Sequence, residues 1–341
     1  MNKHQDNIRL ESLATGYKSH RGVYEVSHRI DLSVLNGELV MLMGPNGCGK
    51  STLMHTIAGL QSPLNGAVYL AGHELGKLRD SDRSKLLSLV LTDKITTNNL
   101  TVWDIVSIGR YPYVNQRGKL RERDKHMIYL ALEQCNLNGF ESRFFSELSD
   151  GEKQRVMIAR ALAQETPVML LDEPTAHLDL PGRLEIMIML KDLASKTGKS
   201  ILVSTHELDL ALQWADTVWL MNKHGDIEAG APEDLILNGG FEQVFGNSHL
   251  TFDAHQGKFI VNSSSLHPIK IEGNGLRFDW TVNALHRNGY VNASDASCRF
   301  AITVRDEDWI LSTATDKTSF DSIRTLIQAL HAMSYPHTSH P

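Results

Sequence analysis

The chain has 341 residues, 41% hydrophobic and 22% charged, with a formal net charge of −6, as expected of a soluble globular protein with one large domain or a large and a small one. The acidic balance argues against a nucleic-acid binder, the polar start MNKHQDNIRLESL against a secretory signal, and the absence of a long apolar run against a bilayer span. Cys48, Cys135 and Cys298 stand far apart without metal-ligand spacing, which fits a reducing compartment.

In chain order, GELVMLMGPNGCGKSTLMHTIAGL predicts a strand at roughly 38–43, a glycine-rich loop and a helix from Lys50. GAVYLAG (66–72) and SLVLT (88–92) predict strands, with a short capped helix at DSDRSKLL between them. Thr101 is placed to cap a helix with Val102, Ile105 and Val106 on one face, and a second helix is expected from about Glu122 to Gln134. It would bring Met127, Leu130 and Ala131 together, and LSDGEKQRVMIARALAQ opens a third helix. From 168 onward strands alternate with helices: VMLL, a helix from about Pro181 to Ala194, SILVST, ELDLALQWA and TVWLM. Such alternation implies an α/β fold on a mostly parallel sheet, with the helical stretch at about 93–165 inserted as a subdomain. Composition shifts near 245–258, so the expected division is 1–247 and a small α+β domain at 248–341. In that second part FAITV and DWILSTATD read as strands joined by RDED, and Ser319 as the cap of a last helix carrying Ile323, Leu326, Ile327 and Leu330.

The chemistry concentrates in three stretches. Gly44–Ser51, GPNGCGKS, follows a strand and opens a helix, the setting that a phosphate-binding loop requires. Its backbone amides would curl around phosphates, Lys50 would reach the β- and γ-phosphates, and Ser51 would ligate magnesium. VMLLDEP then runs a buried strand into two adjacent carboxylates. Asp172 suits the magnesium-holding acid at the end of a neighbouring strand, and Glu173 the group that acts on water, or else a solvated strand end. In LSDGEKQR, Ser149 and Glu152 form a capping box whose helix N-terminus offers a second anion site, or plain capping.

Gly44–Ser51, LSDGE, LLDEP, AHLD and His206, in this order, resemble the ATP-binding cassette (ABC) proteins over roughly residues 8–245. The resemblance implies a P-loop NTPase cassette that binds ATP and Mg2+. Two copies would sandwich two nucleotides on Gly44, Pro45, Asn46, Gly47, Cys48, Gly49, Lys50, Ser51 and Thr52. Ser149 and Gly151 would then cap the γ-phosphate held by the other copy. Asp179 would lie in the loop coupling the two sites, and His206 would sense the γ-phosphate. Tyr17 stands where the family stacks an aromatic ring on adenine, with a core aromatic as the alternative.

Two departures stand out. Thr92, followed by Asp93, occupies the place of the usual magnesium-contacting Gln, and Asp150 and Glu152 replace the commonest Gly and Gln of the signature. ATPase activity is expected to survive both. LLDEPTAHLDLPGRLEIMIML, LVSTHELDLALQWADTVWLM and GAPEDLI look like the subgroup that powers uptake of iron chelates, haem and cobalamin. That likeness implies a homodimer on two permease subunits, served indirectly by a substrate-binding protein. It also implies a peripheral place on the cytoplasmic face of the cell membrane and no nucleic-acid partner. Thr92–Thr97 and GRYPYVNQRG (109–118), with Tyr111 and Tyr113, would meet the permease, or the tyrosines are ordinary core or loop residues. The alternatives are a soluble, non-transport cassette ATPase or an importer of another solute. His337 and His340 are expected to be incidental.

Overall fold

The computed structural model describes residues 6–19, 22–91, 99–114, 118–261, 267–293 and 298–334, in two compact units that divide after Ile260. The first opens on two long strands, β1 (Asp6–Ser19) and β2 (Gly22–Leu35). β3 (Leu39–Met43) leads through the glycine-rich loop into α1 (Lys50–Ile57). β4 (Asn65–Leu70), β5 (His73–Glu74), the short α2 (Asp80–Arg83) and β6 (Leu87–Val90) follow. Then come α3 (Val102–Ile108), α4 (Glu122–Gln134) and α5 (Asp150–Ala163), which pack on one another. Alternation resumes with β7 (Val168–Asp172), α6 (Leu180–Thr197), β8 (Ser200–Ser204), α7 (Leu208–Trp214), β9 (Thr217–Met221) and β10 (Ile227–Gly230). α8 (Pro232–Leu237), α9 (Gly240–Phe245), β11 (Leu250–Asp253) and β12 (Lys258–Val261) complete the series.

The main sheet has the order β10-β9-β3-β8-β7-β6, parallel except for β10. Its central strands are buried on both faces, which is why LVMLM and SILVS read as apolar runs without alternation. The pleat still sorts the side chains. Leu39, Met41 and Met43 join the cluster built with α3–α7, and Val40 and Leu42 join the one built with α1. A second, antiparallel sheet, β2-β1-β4-β5, closes that latter cluster with Ile8, Leu10, Leu13, Val34 and Val68. No strand was expected over 6–35. Register shifts along β1, with Ser12 at φ 43°, break the two-residue period that would have announced it.

The boundary expected at 247 falls short of the observed one. Phe252 stacks on Phe241 with ring centroids 5.4 Å apart, and Phe259 packs on Phe252 at 5.1 Å and Phe245 at 5.8 Å. This aromatic chain joins residues beyond 247 to the core of the first unit. Among α4 residues, Ile128, Ala131 and Leu132 are buried, whereas Met127 and Leu130 are only partly covered.

The second unit comprises β13 (His267–Glu272), α10 (Gly275–Arg287), β14 (Tyr290–Asn292), β15 (Ala301–Val304), β16 (Trp309–Ser312), β17 (Lys317–Phe320) and α11 (Ile323–Ser334). The sheet order is β14-β13-β15-β16-β17, with β13 parallel to both neighbours. Leu326 and Leu330 of α11 lie fully buried on Ile269, Ile302 and Leu311. The residue at the start of that helix is Ser322, whose hydroxyl accepts the Thr325 amide at 3.3 Å. Ser319, expected as the cap, lies inside β17, because the polar segment before it pairs as an extra edge strand.

Candidate functional site

β3, β8 and β7 lie side by side and parallel, so their carboxyl ends open on one edge. Register sets Leu42, Ser204 and Asp172 in one row, and adjacent strands lie ~4.8 Å apart, which puts β3 about 10 Å from β7. This edge is where open α/β sheets hold ligands. Backbone bonds tie its loops together: Thr205 N–H donates to Leu42 O at 3.1 Å and Glu173 N–H to Ser204 O at 3.1 Å.

The loop after β3 is built for close approach. A Cβ on Gly44 would stand 2.3 Å from the Met221 carbonyl oxygen, so only glycine fits against the end of β9. Gly49 has φ +115°, and a Cβ there would lie 2.2 Å from Val26 Cγ1 of β2. Lys50 opens α1 nearly buried, and its Nζ donates to Gly44 O at 2.8 Å and Pro45 O at 3.2 Å. Asn46, Gly47 and Ser51 are exposed, whereas burial of Cys48 against the loop pushes its thiol pKa up. Tyr17 is 51% exposed, with its hydroxyl 2.6 Å from Thr52 Oγ1. It is therefore tethered to the first turn of α1 and is not a core aromatic.

Asp172 ends β7 and Glu173 follows at φ 46°. Ser204, which did not stand out in the sequence, organises both. Its hydroxyl donates to Asp172 Oδ1 and accepts the Glu173 amide at 3.1 Å. The left-handed turn at Glu173 directs the second carboxylate away from the first, toward His206, whose Nδ1 lies 3.4 Å from Glu173 Oε1. Asp179 caps α6 by accepting the Gly182 amide at 3.0 Å. Between them Glu207 accepts from Thr175 Oγ1 at 2.8 Å and Arg183 Nη1 at 2.7 Å. These partners are distant in sequence, so no local motif marks them.

Ser149 caps α5 in the expected capping box: its hydroxyl accepts the Glu152 amide at 3.3 Å, and Glu152 Oε2 accepts the Ser149 amide at 2.7 Å. That backbone bond is the main force holding the Glu152 carboxyl below its usual pKa, and Arg143 at 3.2 Å adds to it. The amides of Asp150 and Gly151 remain at the open first turn. Among the described residues, no hydrogen bond or ion pair joins Ser149 or Gly151 to the 44–51 loop of the same chain. Tyr111 is 78% exposed. Tyr113 is held back, donating to Gln164 O at 3.0 Å under the buried Arg110 guanidinium. Thr92–Thr97, including Asp93, lie outside the described residues, as do 115–117, His337 and His340.

Residues 27–176 match the family model "ABC transporter", and residues 266–331 match "Iron ABC transporter C-terminal domain". An uncharacterized ABC transporter ATP-binding protein of Methanocaldococcus jannaschii is 37% identical over 77% of this chain and 90% of its own length. The chain belongs to the ABC transporter ATP-binding family. A second relative, the petrobactin import ATP-binding protein FpuC of Bacillus anthracis, is 36% identical over 65% of this ABC chain and 84% of its own. A dimeric post-hydrolysis ATP-binding cassette solved with ADP and Pi superposes with a TM-score of 0.57 at 29% identity, over 66% of this chain and 98% of the other. The ABC cassette reading thus holds for activity class and fold: the chain is an ATPase with a P-loop α/β core. Among the described residues no helix is long and apolar enough to cross a membrane.

Proposed function

We propose that this ABC ATPase drives import of an iron chelate, as a homodimer on the cytoplasmic face of two permease subunits that receive the solute from a substrate-binding protein. The iron-transporter C-terminal match supports an iron chelate, in line with the petrobactin-importing relative. The observation that carries the chemistry is the shared edge. Lys50, Asp172, Glu173 and His206 stand at the carboxyl ends of three adjacent parallel strands.

In this mechanism the amides and ammonium of the 44–51 loop bind the β- and γ-phosphates. Lys50 gives up the Gly44 and Pro45 carbonyls for phosphate oxygens, and Tyr17 presents its exposed face to adenine. The hard oxygens of Ser51 and Asp172 suit Mg2+, which takes one or two protein oxygens beside phosphates and needs no protein cage. Among the described residues no cluster of three His, Cys, Asp or Glu forms such a cage. When bound, the ion neutralises charge on the phosphate oxygens. Glu173 orients a water and accepts its proton as the water oxygen attacks the γ-phosphorus and the bond to the β-phosphate oxygen breaks, releasing ADP and phosphate. His206 steadies the γ-phosphate, and Ser149 and Gly151 of the second copy cap it. Asp179 carries the state of one site to the other.

Uptake of labelled ferric siderophore, haem and cobalamin in cells carrying Lys50→Ala tests this assignment. Loss of siderophore uptake alone is expected. Persistence of all three, without a redundant system, would refute import of these solutes.

A further inference from the structure

The turn between Glu173 and Asp179 is an unusual piece of backbone. Glu173 and His177 both hold positive φ, 46° and 67°, although neither is glycine. Residues in that region persist only where surrounding contacts over-determine them. Within the turn, Ala176 N–H donates to Glu173 O at 3.1 Å and Leu178 N–H to Thr175 O at 3.2 Å. Ser204 takes the Glu173 amide at its start, and a side-chain clamp holds the rest. The Arg183 guanidinium donates through Nε to Leu178 O at 2.8 Å and through Nη1 to Glu207 Oε2 at 2.7 Å. The other Glu207 oxygen takes the hydroxyl of Thr175, itself buried, at 2.8 Å. The Glu207 side chain is 9% exposed, so both bonds work with little competition from water.

Glu207 directly follows His206, and its own amide donates to Thr205 Oγ1 at 3.1 Å. The segment carrying His206 is therefore anchored to β3 on one side, through Thr205 N–H to Leu42 O, and to the acidic turn on the other. We propose that Glu207 is a positioning residue: its carboxylate locks the Glu173–Asp179 turn to the His206 segment, so that displacement of Asp179 by the second copy reaches His206 and Glu173 of the first. This deepens the proposed ATPase mechanism and rests on it. Glu207 touches no reacting atom. Its effect is on turnover and on cooperativity between the two sites, not on nucleotide affinity.

The test is steady-state ATP hydrolysis by the full chain in its permease complex, with nucleotide affinity measured separately on the same preparations. Wild type, Glu173→Gln, Glu207→Gln, Thr175→Val, Arg183→Gln and the Glu207→Gln/Arg183→Gln double variant are compared. Misplacing a catalytic group by about 1 Å can cost ~100-fold, so Glu207→Gln is expected to lower kcat roughly 10- to 100-fold with ATP affinity within about threefold of wild type. The Hill coefficient should fall toward 1, and the double variant should lose little more than either single one. A merely structural role would lower affinity and activity together, and would leave the Hill coefficient in place. Should Glu207→Gln fail to fold, Thr175→Val removes only one hydroxyl and carries the same expectation with a smaller loss. Wild-type kcat and cooperativity in these variants, beside an inactive Glu173→Gln, would overturn the role of Glu207 alone. A wild type without ATP turnover would overturn the mechanism and this inference together.

Discussion

Two loops meet at the carboxyl edge of the sheet and solve the same problem in opposite ways. The 44–49 loop turns on glycines: Gly47 and Gly49 take the positive φ values, and Gly44 lets the backbone graze Met221. The 173–179 turn reaches comparable curvature with Glu173 and His177, residues that occupy this region only at a cost. The first loop owes its bends to glycine backbone, with the Lys50 ammonium on the Gly44 and Pro45 carbonyls and the Cys48 amide on Pro45 O. The second must carry a carboxylate at the bend, so it cannot use glycine there. It is held from outside by Ser204, Arg183 and Glu207. Conformational freedom suits a loop that wraps a ligand, and an imposed conformation suits one that aims a side chain.

Substitutions can break this contrast, and the largest effects fall on the charges themselves. Lys50→Ala should reduce ATP turnover by ~1,000-fold or more and weaken nucleotide binding, as read by phosphate release and titration with ATP. Glu173→Gln should cost about 100- to 1,000-fold in turnover but keep ATP affinity, so that a nucleotide-bound dimer accumulates on gel filtration. Similar affinity losses in both variants would show that the two loops do not divide binding from chemistry as described. Next in size, Gly49→Ala meets both the positive φ and Val26, and should lose about 1–3 kcal/mol in chemical denaturation. Pairing it with Val26→Ala should recover only the steric part. The smallest effect is expected at exposed His177. Changing it to Gly relieves the left-handed backbone but frees the unfolded chain, for a net gain of less than ~1 kcal/mol. A clear loss there would mean that the His177 side chain, and not the clamp alone, holds the turn.

The same division explains what could be read from the sequence. Loop 44–51, the carboxylate pair and the Ser149 capping box are local patterns, each with a spacing that its backbone geometry demands. The strands and helices from 168 to 221 were legible because buried parallel strands and amphipathic helices have distinct periods. The clamp was not legible, because Thr175, Arg183 and Glu207 meet only after β7, α6 and β8 have folded into place. Val26 likewise became a wall of the phosphate loop only through the pairing of β1 and β2, whose bulges hid the alternation. The domain boundary slipped because the mostly polar stretch 246–258 surrounds Phe252 and hides its link to Phe241 and Phe259.

The row formed by Leu42, Ser204 and Asp172 also serves as a common datum for the groups proposed to act on water and the γ-phosphate, Glu173 and His206. Thr205 is measured from Leu42, Glu173 is measured from Ser204, and His206 directly follows Thr205 and lies 3.4 Å from Glu173. Moving β8 by a single residue would turn the Ser204 side chain to the opposite face and displace both anchors at once. No adjustment confined to one loop could restore the zero. Length changes across relatives are therefore expected in the connections, above all between β6 and β7, while these five-residue strands keep their length even where their side chains drift.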